Sequence, residues 1–373
     1  MASTLLSQLM PSFTLRETDH VSVAPGPDQA WPRARGLDVA RIPFVRALFE
    51  LRIVPERVAA FARGKPQPAV ASVGIEAIEH TKGPGFRILG EEPGREVVAG
   101  AVGRFWKPHI EWADVEPAGF RDFSQPGWGR VAWSIRVDPR QAGGSWVTFE
   151  VRVGATDAVS FERFRPYWAV IGRFSRAIRR AGLHRLRRQI GAPAPAAMAG
   201  DDLLPAPRYL RTHEEVIEVP PERVWPWLVQ MGCRRAGWYA IDRLDNGGVK
   251  SAQRIVPELQ KLAEGDIIPA TPRGEAGFAV LRLERERALV LGSPGLLPGG
   301  APPGAKLSAG DSTWAFQLEP VGPDATWLGV RVRADYPPGL RSGLVRIGVG
   351  AAHEIMQAAQ LRNLKRRAEA PAA

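Results

Sequence analysis

The chain has 373 residues, room for two domains of common size, and its 45% apolar and 24% charged residues exclude a disordered or low-complexity protein. A single cysteine, Cys233, excludes a disulfide framework and a thiolate metal site, and its lone thiol reads as buried filler. The formal net charge of +11 favours acidic partners in general without requiring nucleic acid, and no nucleic-acid partner is expected.

In chain order, residues 1–13 carry leucines but no basic run, no sustained apolar core and no small-residue cleavage site, so they do not read as a secretory signal. No stretch approaches the ~18 apolar residues that span a bilayer, and a cytoplasmic location is expected. Ala30-Trp31-Pro32 follows a short strand and lies at a proline-marked helix start. Further on, Trp133, Ile135 and Val137 alternate with Ser134 and Arg136, and Val147, Phe149, Val151 and Val153 alternate with Thr148, Glu150 and Arg152. That parity predicts a hairpin turned by Gly143-Gly144, with Trp133 facing a core and Trp146 facing away from it. Phe164, Trp168, Ile171, Ile178 and Leu186 then recur at helical spacing and predict a long amphipathic helix. Residues 163–188 hold nine arginines and no acid; Arg173, Arg176 and Arg180 read as a solvated face, with an anionic surface as the functional alternative.

The second half repeats this plan. Residues 277–292 match 85–100 without a gap, with Gly, Phe, Leu, Glu, Arg, Val and Gly identical in place. Residues 314–320 match 133–139, Trp327 answers Trp146, Val224-Trp225-Pro226 answers Ala30-Trp31-Pro32, and residues 361–366 answer 183–188. Duplication of a whole domain follows: a first domain over 1–190, a Pro/Ala linker over 191–208 and a second domain over 209–373. Trp314, Phe316, Leu318, Leu328, Val330 and Val332 are expected inward, and Leu340, Leu344, Ile347, Ala351, Ile355 and Ala358 are expected to form the apolar stripe of the last helix. The expected class is α+β, each copy a curved antiparallel sheet packed around a long C-terminal helix.

Strand, helices, meander and long final helix resemble the helix-grip fold of the SRPBCC superfamily, which includes START lipid-transfer domains, pollen-allergen-like proteins and polyketide cyclases. In the second copy, Gly237-Trp238-Tyr239-Ala240-Ile241-Asp242-Arg243-Leu244-Asp245-Asn246, then Ser251-Ala252, residues 254–260 and Gly265-Asp266 are similar to uncharacterised bacterial members. Gly85-Phe86, residues 91–96 and Gly103-Arg104-Phe105-Trp106 make the first copy similar to another such branch. The resemblance implies a cavity for an apolar small molecule and no particular reaction, since function resides in sites and not in folds.

His353-Glu354 begins like a zinc-protease motif, but position 357 is Gln, so no metal is expected and no motif asks for a cofactor. Asp242, Asp245 and Asn246 read first as a capped helical turn. Trp238 and Tyr239 read equally as the lining of a cavity mouth or as core packing. In the second copy, Trp314, Phe316, Val330, Ile347 and Ala351 are expected to line an apolar cavity, because small residues near position 351 stand where the first copy has Phe174 and nearby Trp168. Trp133 and Trp168 are the matching candidates in the first copy. The leading expectation is binding or carriage of a hydrophobic or amphipathic molecule. A cyclase or dehydratase using Asp242, Tyr239 and His213 is one rival, and a scaffold with filled cores is the other.

Overall fold

The computed structural model describes residues 3–38, 74–80, 83–107, 109–274, 276–300, 310–335 and 340–371; in the last helix, side chains are described from residue 354 onward. The chain divides into two compact units, Met1–Pro195 and Ala196–Ala373.

The first unit runs α1 (Leu5–Leu9), β1 (Leu15–Val23), α2 (Pro27–Arg35), α3 (Ile75–His80), β2 (Arg87–Glu92), β3 (Glu96–Arg104), β4 (Glu111–Trp112), β5 (Gly129–Pro139), β6 (Ser145–Ala155) and α4 (Ala158–Ile190). The second runs β7 (Tyr209–Ile217), α5 (Pro221–Val229), α6 (Asp242–Asp245), β8 (Ile267–Pro269), β9 (Gly277–Glu284), β10 (Ala288–Gly292), β11 (Ser312–Val321), β12 (Ala325–Ala334) and α7 (Leu340–Glu369). Each unit has a six-stranded sheet, β1-β6-β5-β3-β2 with β4 on β3, and β7-β12-β11-β10-β9-β8. The described pairings are antiparallel, and in both sheets the first strand lies beside the last, where the closing helix follows. This is the helix-grip arrangement, twice over.

Local chemistry explains the elements. α2 and α5 each begin with proline, whose missing N–H is no loss in a first turn. Asp157 caps α4, accepting from the Ser160 N–H at 2.8 Å and its hydroxyl at 2.7 Å, which holds the Asp157 carboxyl down at about 2. The two central hairpins pair without interruption, so parity places Trp133 and Trp314 inward, and Trp146 and Trp327 on the opposite faces.

The repeat extends to an irregularity. In β2 the pairing skips Leu89, between Ile88 and Gly90; in β9 it skips Leu281, between Arg282 and Val280. Each bulged leucine lies over a glycine of the neighbouring strand. A Cβ on Gly100 would stand 2.6 Å from Leu89 Cδ1, and one on Gly292 would stand 2.5 Å from Leu281 Cδ1. The identical Leu and Gly of the matched segments are therefore one packing device, used twice.

The outer faces are covered as well. α1 lays Leu6 and Met10 over Val98, Val102 and Ala132. Glu96 accepts from the Leu5 N–H at 2.8 Å, and Arg152 donates to the Met10 carbonyl at 3.0 Å. In the second unit, residues 196–205, within the segment expected as linker, lie over the corresponding face. Arg331 reaches Asp201 and the Ala196 carbonyl, and Arg333 donates to the Leu204 carbonyl at 2.6 Å.

α4 is held to β1 by charge as well as by its apolar stripe. Arg179, buried, meets Glu17 at 2.6 Å and Asp19 at 3.0 Å. Arg180 also reaches Asp19 at 2.7 Å, from a side chain that is 61% exposed. Arg173, Arg176 and Arg180 are exposed as expected, but Arg179 was not anticipated, and part of the basic face answers the acids of β1. Phe174 is 45% exposed, so it is not the plug proposed from sequence. Other rings pack together in the first unit: Trp133 stacks on Phe149 at 5.3 Å, Phe164 on Trp168 at 5.7 Å, and Phe105 meets Phe164 edge-on.

Candidate functional site

The site grows from the loop between α5 and α6. Gly232 and Gly237 bond to each other in both directions, at 3.1 and 2.9 Å, pinching off a tight turn. Gly237 has φ +79°, and a Cβ there would meet Ser251 Oγ at 2.3 Å, so only glycine fits. Tyr239 takes φ +60°, an uncommon conformation for a side-chain-bearing residue, and the surroundings hold it there. Ser251 Oγ accepts from the Tyr239 N–H at 3.3 Å and donates to Asp242. From α7, Gln360 donates to the Trp238 carbonyl and Asn363 to the Tyr239 carbonyl, each at 2.9 Å, while Arg367 donates to the Ala252 carbonyl at 2.8 Å. Residues 360, 363 and 367 share one face of a helix, so a polar stripe of α7 clasps the loop.

Here the sequence reading of α7 needs correction. Ile355 is 63% exposed and Ala358 is exposed, while Gln357, Gln360, Leu361 and Leu364 are buried. The described inward face is rotated from the apolar stripe because amides and an arginine find partners on the loop, which satisfies their burial. The side chains of Ile347 and Ala351 lie outside the described residues.

Between loop, sheet and helix is a pocket of about 180 Å³, lined by Trp238, Asp245, Phe278, Trp314, Gln357 and Gln360, with Ala240, Ala270 and Met356 completing it. Its aromatic wall is continuous: Trp238 and Trp314 are 5.3 Å apart, Trp238 and Phe278 5.8 Å, Phe278 and Trp314 5.9 Å. Of the residues expected as lining, Trp238 and Trp314 border this pocket. Phe316 and Val330 are fully buried in the core and do not reach the pocket. Tyr239 is also core: its hydroxyl accepts from Gln230 at 2.9 Å, Arg367 lies over its ring, and burial pushes its phenol well above the usual range. His213 faces Glu354 at 3.6 Å and is not among the lining residues. Trp133 and Trp168, both half-buried, pack against the Phe105 and Phe164 cluster of the first unit.

Two lining residues hold buried polar atoms without a hydrogen-bond partner, Nε1 of Trp314 and Oε1 of Gln357. Gln357 spends its amide N–H on Gln360 at 2.8 Å, leaving its oxygen free. Burial raises the Asp245 carboxyl above the usual carboxylate range, the nearby Asp242 carboxylate adds to the rise, and the backbone N–H of Ile241 opposes it in part. In sequence, Asp245 reads as a cap and Gln357 as the residue that interrupts a zinc motif. Amides placed at 357, 360 and 363 on a predicted core-facing helix were the available signal. Among the described residues no group of three or more metal-ligating side chains converges, and no helix is long and apolar enough to cross a membrane.

Fold and site together define a tandem helix-grip protein with a pocket in its second unit. No family model matches the chain, and no curated protein is significantly similar to it. Among solved structures it is similar to the di-domain ARO/CYC BexL of the BE-7585A biosynthetic pathway, at 11% identity and TM-score 0.24, covering 96% of this chain and 100% of that one. It is also similar to the di-domain ARO/CYC StfQ of the steffimycin pathway, at 12% identity and TM-score 0.25, covering 95% and 98%. A START superfamily protein from Mycobacterium smegmatis matches at 12% identity and TM-score 0.26, covering 42% of this chain and 97% of that one. At these scores neither substrate nor reaction follows from the likeness.

Proposed function

We propose that the second unit binds a small apolar or amphipathic molecule in the pocket between α7, the sheet and the Trp238 loop, and that the chain serves as a binding or carrier protein. One observation carries this reading: an aromatic-walled pocket of about 180 Å³ remains in the second unit. An apolar cavity of ~150 Å³ takes up benzene, so there is room here for about one substituted ring. Burying ~200 Å² of such a ligand contributes on the order of 5 kcal/mol before the cost of association, which favours affinities from high micromolar to millimolar for a single ring. Titrating the full chain with toluene, followed by tryptophan fluorescence and ligand-observed NMR, tests it. Saturable binding is expected, weakened at least tenfold by Ala270→Phe, which fills the pocket. Binding to neither protein overturns the reading and favours the scaffold.

Asp245 favours a second reading, acid catalysis of a cyclisation or dehydration in the same pocket. A carboxyl whose burial favours the protonated form, beside aromatic walls, is a proton donor of the kind such steps use. That reading stands on Asp245 and not on the overlays. It requires turnover of a β-hydroxy ketone that Asp245→Asn abolishes while ligand binding persists; turnover equal in the two proteins excludes it.

A further inference from the structure

We infer that the outward face of α4 docks on an anionic lipid bilayer, an interaction separate from the pocket that stands or falls without it. Val159, Arg163, Pro166, Val170, Arg173 and Phe174 fall within a band of the helix about 100° wide, on the side away from the buried Phe164, Arg179 and Leu186. Val159 is 63% exposed, Val170 57% and Phe174 45%, and Arg163 and Arg173 are exposed between them. A single exposed apolar side chain is ordinary, but three on one ridge, spread over ~22 Å with cations between them, form a surface. Other arginines of the helix answer acids: Arg165 meets Glu162 at 3.0 Å, and Arg180 meets Asp19 at 2.7 Å. Among the described residues no acid pairs with Arg163 or Arg173.

Charge and apolar surface together select the occupant. A second copy, meeting this face with its own, would set arginine against arginine. Nucleic acid would satisfy the guanidinium groups through its phosphates, yet it offers two valines no stacking partner. A bilayer interface uses both kinds of side chain. The valines and the phenylalanine enter the boundary between headgroups and acyl chains, while the arginines, on their aliphatic stems, keep their charge at the level of the anionic headgroups.

Flotation of the full chain with vesicles tests this, comparing phosphatidylcholine alone with a mixture in which about one lipid in three is phosphatidylglycerol. Binding to the mixed vesicles is expected to be tighter by about tenfold or more and to weaken as salt rises. Each cation near such a surface contributes about fivefold, so Arg163→Gln and Arg173→Gln together should weaken binding about 25-fold. Val170→Ser and Phe174→Ser together leave the charge intact and should weaken it by about tenfold or more. These side chains are exposed, and an unchanged urea midpoint confirms that each variant still folds; Val170→Ser alone carries the same sign where the pair disturbs folding. No binding to the mixed vesicles, or equal binding to both kinds, overturns the inference. A serine variant that binds like the parent while the glutamine variant does not also overturns it, marking a plain polyanion site. Tighter binding to polyuridylate than to the vesicles does the same in favour of nucleic acid.

Discussion

Arg179 and its neighbours show how one helical face divides between solvent and core. Arg179 is buried against Glu17 and Asp19, whereas Arg173 and Arg176 are exposed. Removing one partner of a buried ionic cluster leaves uncompensated charge, so Arg179→Gln should destabilise the first unit by about 3–5 kcal/mol in urea denaturation. Arg173→Gln and Arg176→Gln should stay within about 0.5 kcal/mol. No spacing rule separates these arginines in the sequence, because the distinction depends on acids in β1 that only the tertiary fold brings near. Glycines 100 and 292 make a second residue-scale case. Alanine at either meets the bulged leucine, a flexible neighbour, but at Gly292 the new Cβ would also stand 2.6 Å from the Ser312 carbonyl, which cannot turn aside. Gly292→Ala should therefore cost more than Gly100→Ala, each in the range of about 1–3 kcal/mol. Asp245 adds a pH dependence of definite sign. Its carboxyl is raised in the folded protein, so folding favours the protonated form. The stability it contributes is complete below the usual carboxylate range and is lost as pH rises through the raised value. Asp245→Asn, permanently neutral, should therefore raise the melting temperature at pH 8 relative to the parent and leave it nearly unchanged at pH 3. A difference equal at both pH values would rule out titration as its cause.

Among the elements, α7 and the loop it clasps decide whether a pocket exists. The apolar pattern predicted a long helix on the sheet, and that much was legible. The pattern also turned the helix to the wrong face at its described end, since Gln360, Asn363 and Arg367 look like surface residues until their loop carbonyls are in view. The loop itself was recognisable as a motif, but its purpose was not, because left-handed backbone at Tyr239 and the Ser251 bridge leave no periodicity to read. Gly237→Ala combines a strained φ with a clash on Ser251 and should cost about 1–3 kcal/mol. It should also displace Trp238 and weaken ring binding more than Gly292→Ala does, a comparison that fluorescence titration makes directly. Equal binding in the two variants would mean that the loop does not set the pocket wall.

For the whole molecule, the duplication runs deeper than the sequence suggested. Met10 and Leu204, Leu15 and Tyr209, Pro27 and Pro221, and Trp31 and Trp225 correspond without a gap, and the carbonyls of Met10 and Leu204 receive Arg152 and Arg333. The proline and alanine near residue 200 read as linker because composition does not reveal that the segment carries the counterpart of the first unit's N-terminal strap. We propose that the second domain begins near Ala196. A fragment over 196–373 should then unfold cooperatively, whereas one over 209–373 should lose several degrees of melting temperature and bind a hydrophobic dye, having bared Arg331 and Arg333. Equal stability of the two fragments would return the boundary to residue 208. The pairing of β1 with β6 and of β7 with β12 has a further consequence, in time. The first strand made in each unit finds its neighbour only after the rest of the sheet has been synthesised, and such long closures are slow to form. As a ribosome delivers the chain, each strap and first strand must wait, unpaired, for the final hairpin. The first unit can be complete before the second one's last strands exist, so two successive closures, and not one, bring the protein to its native state.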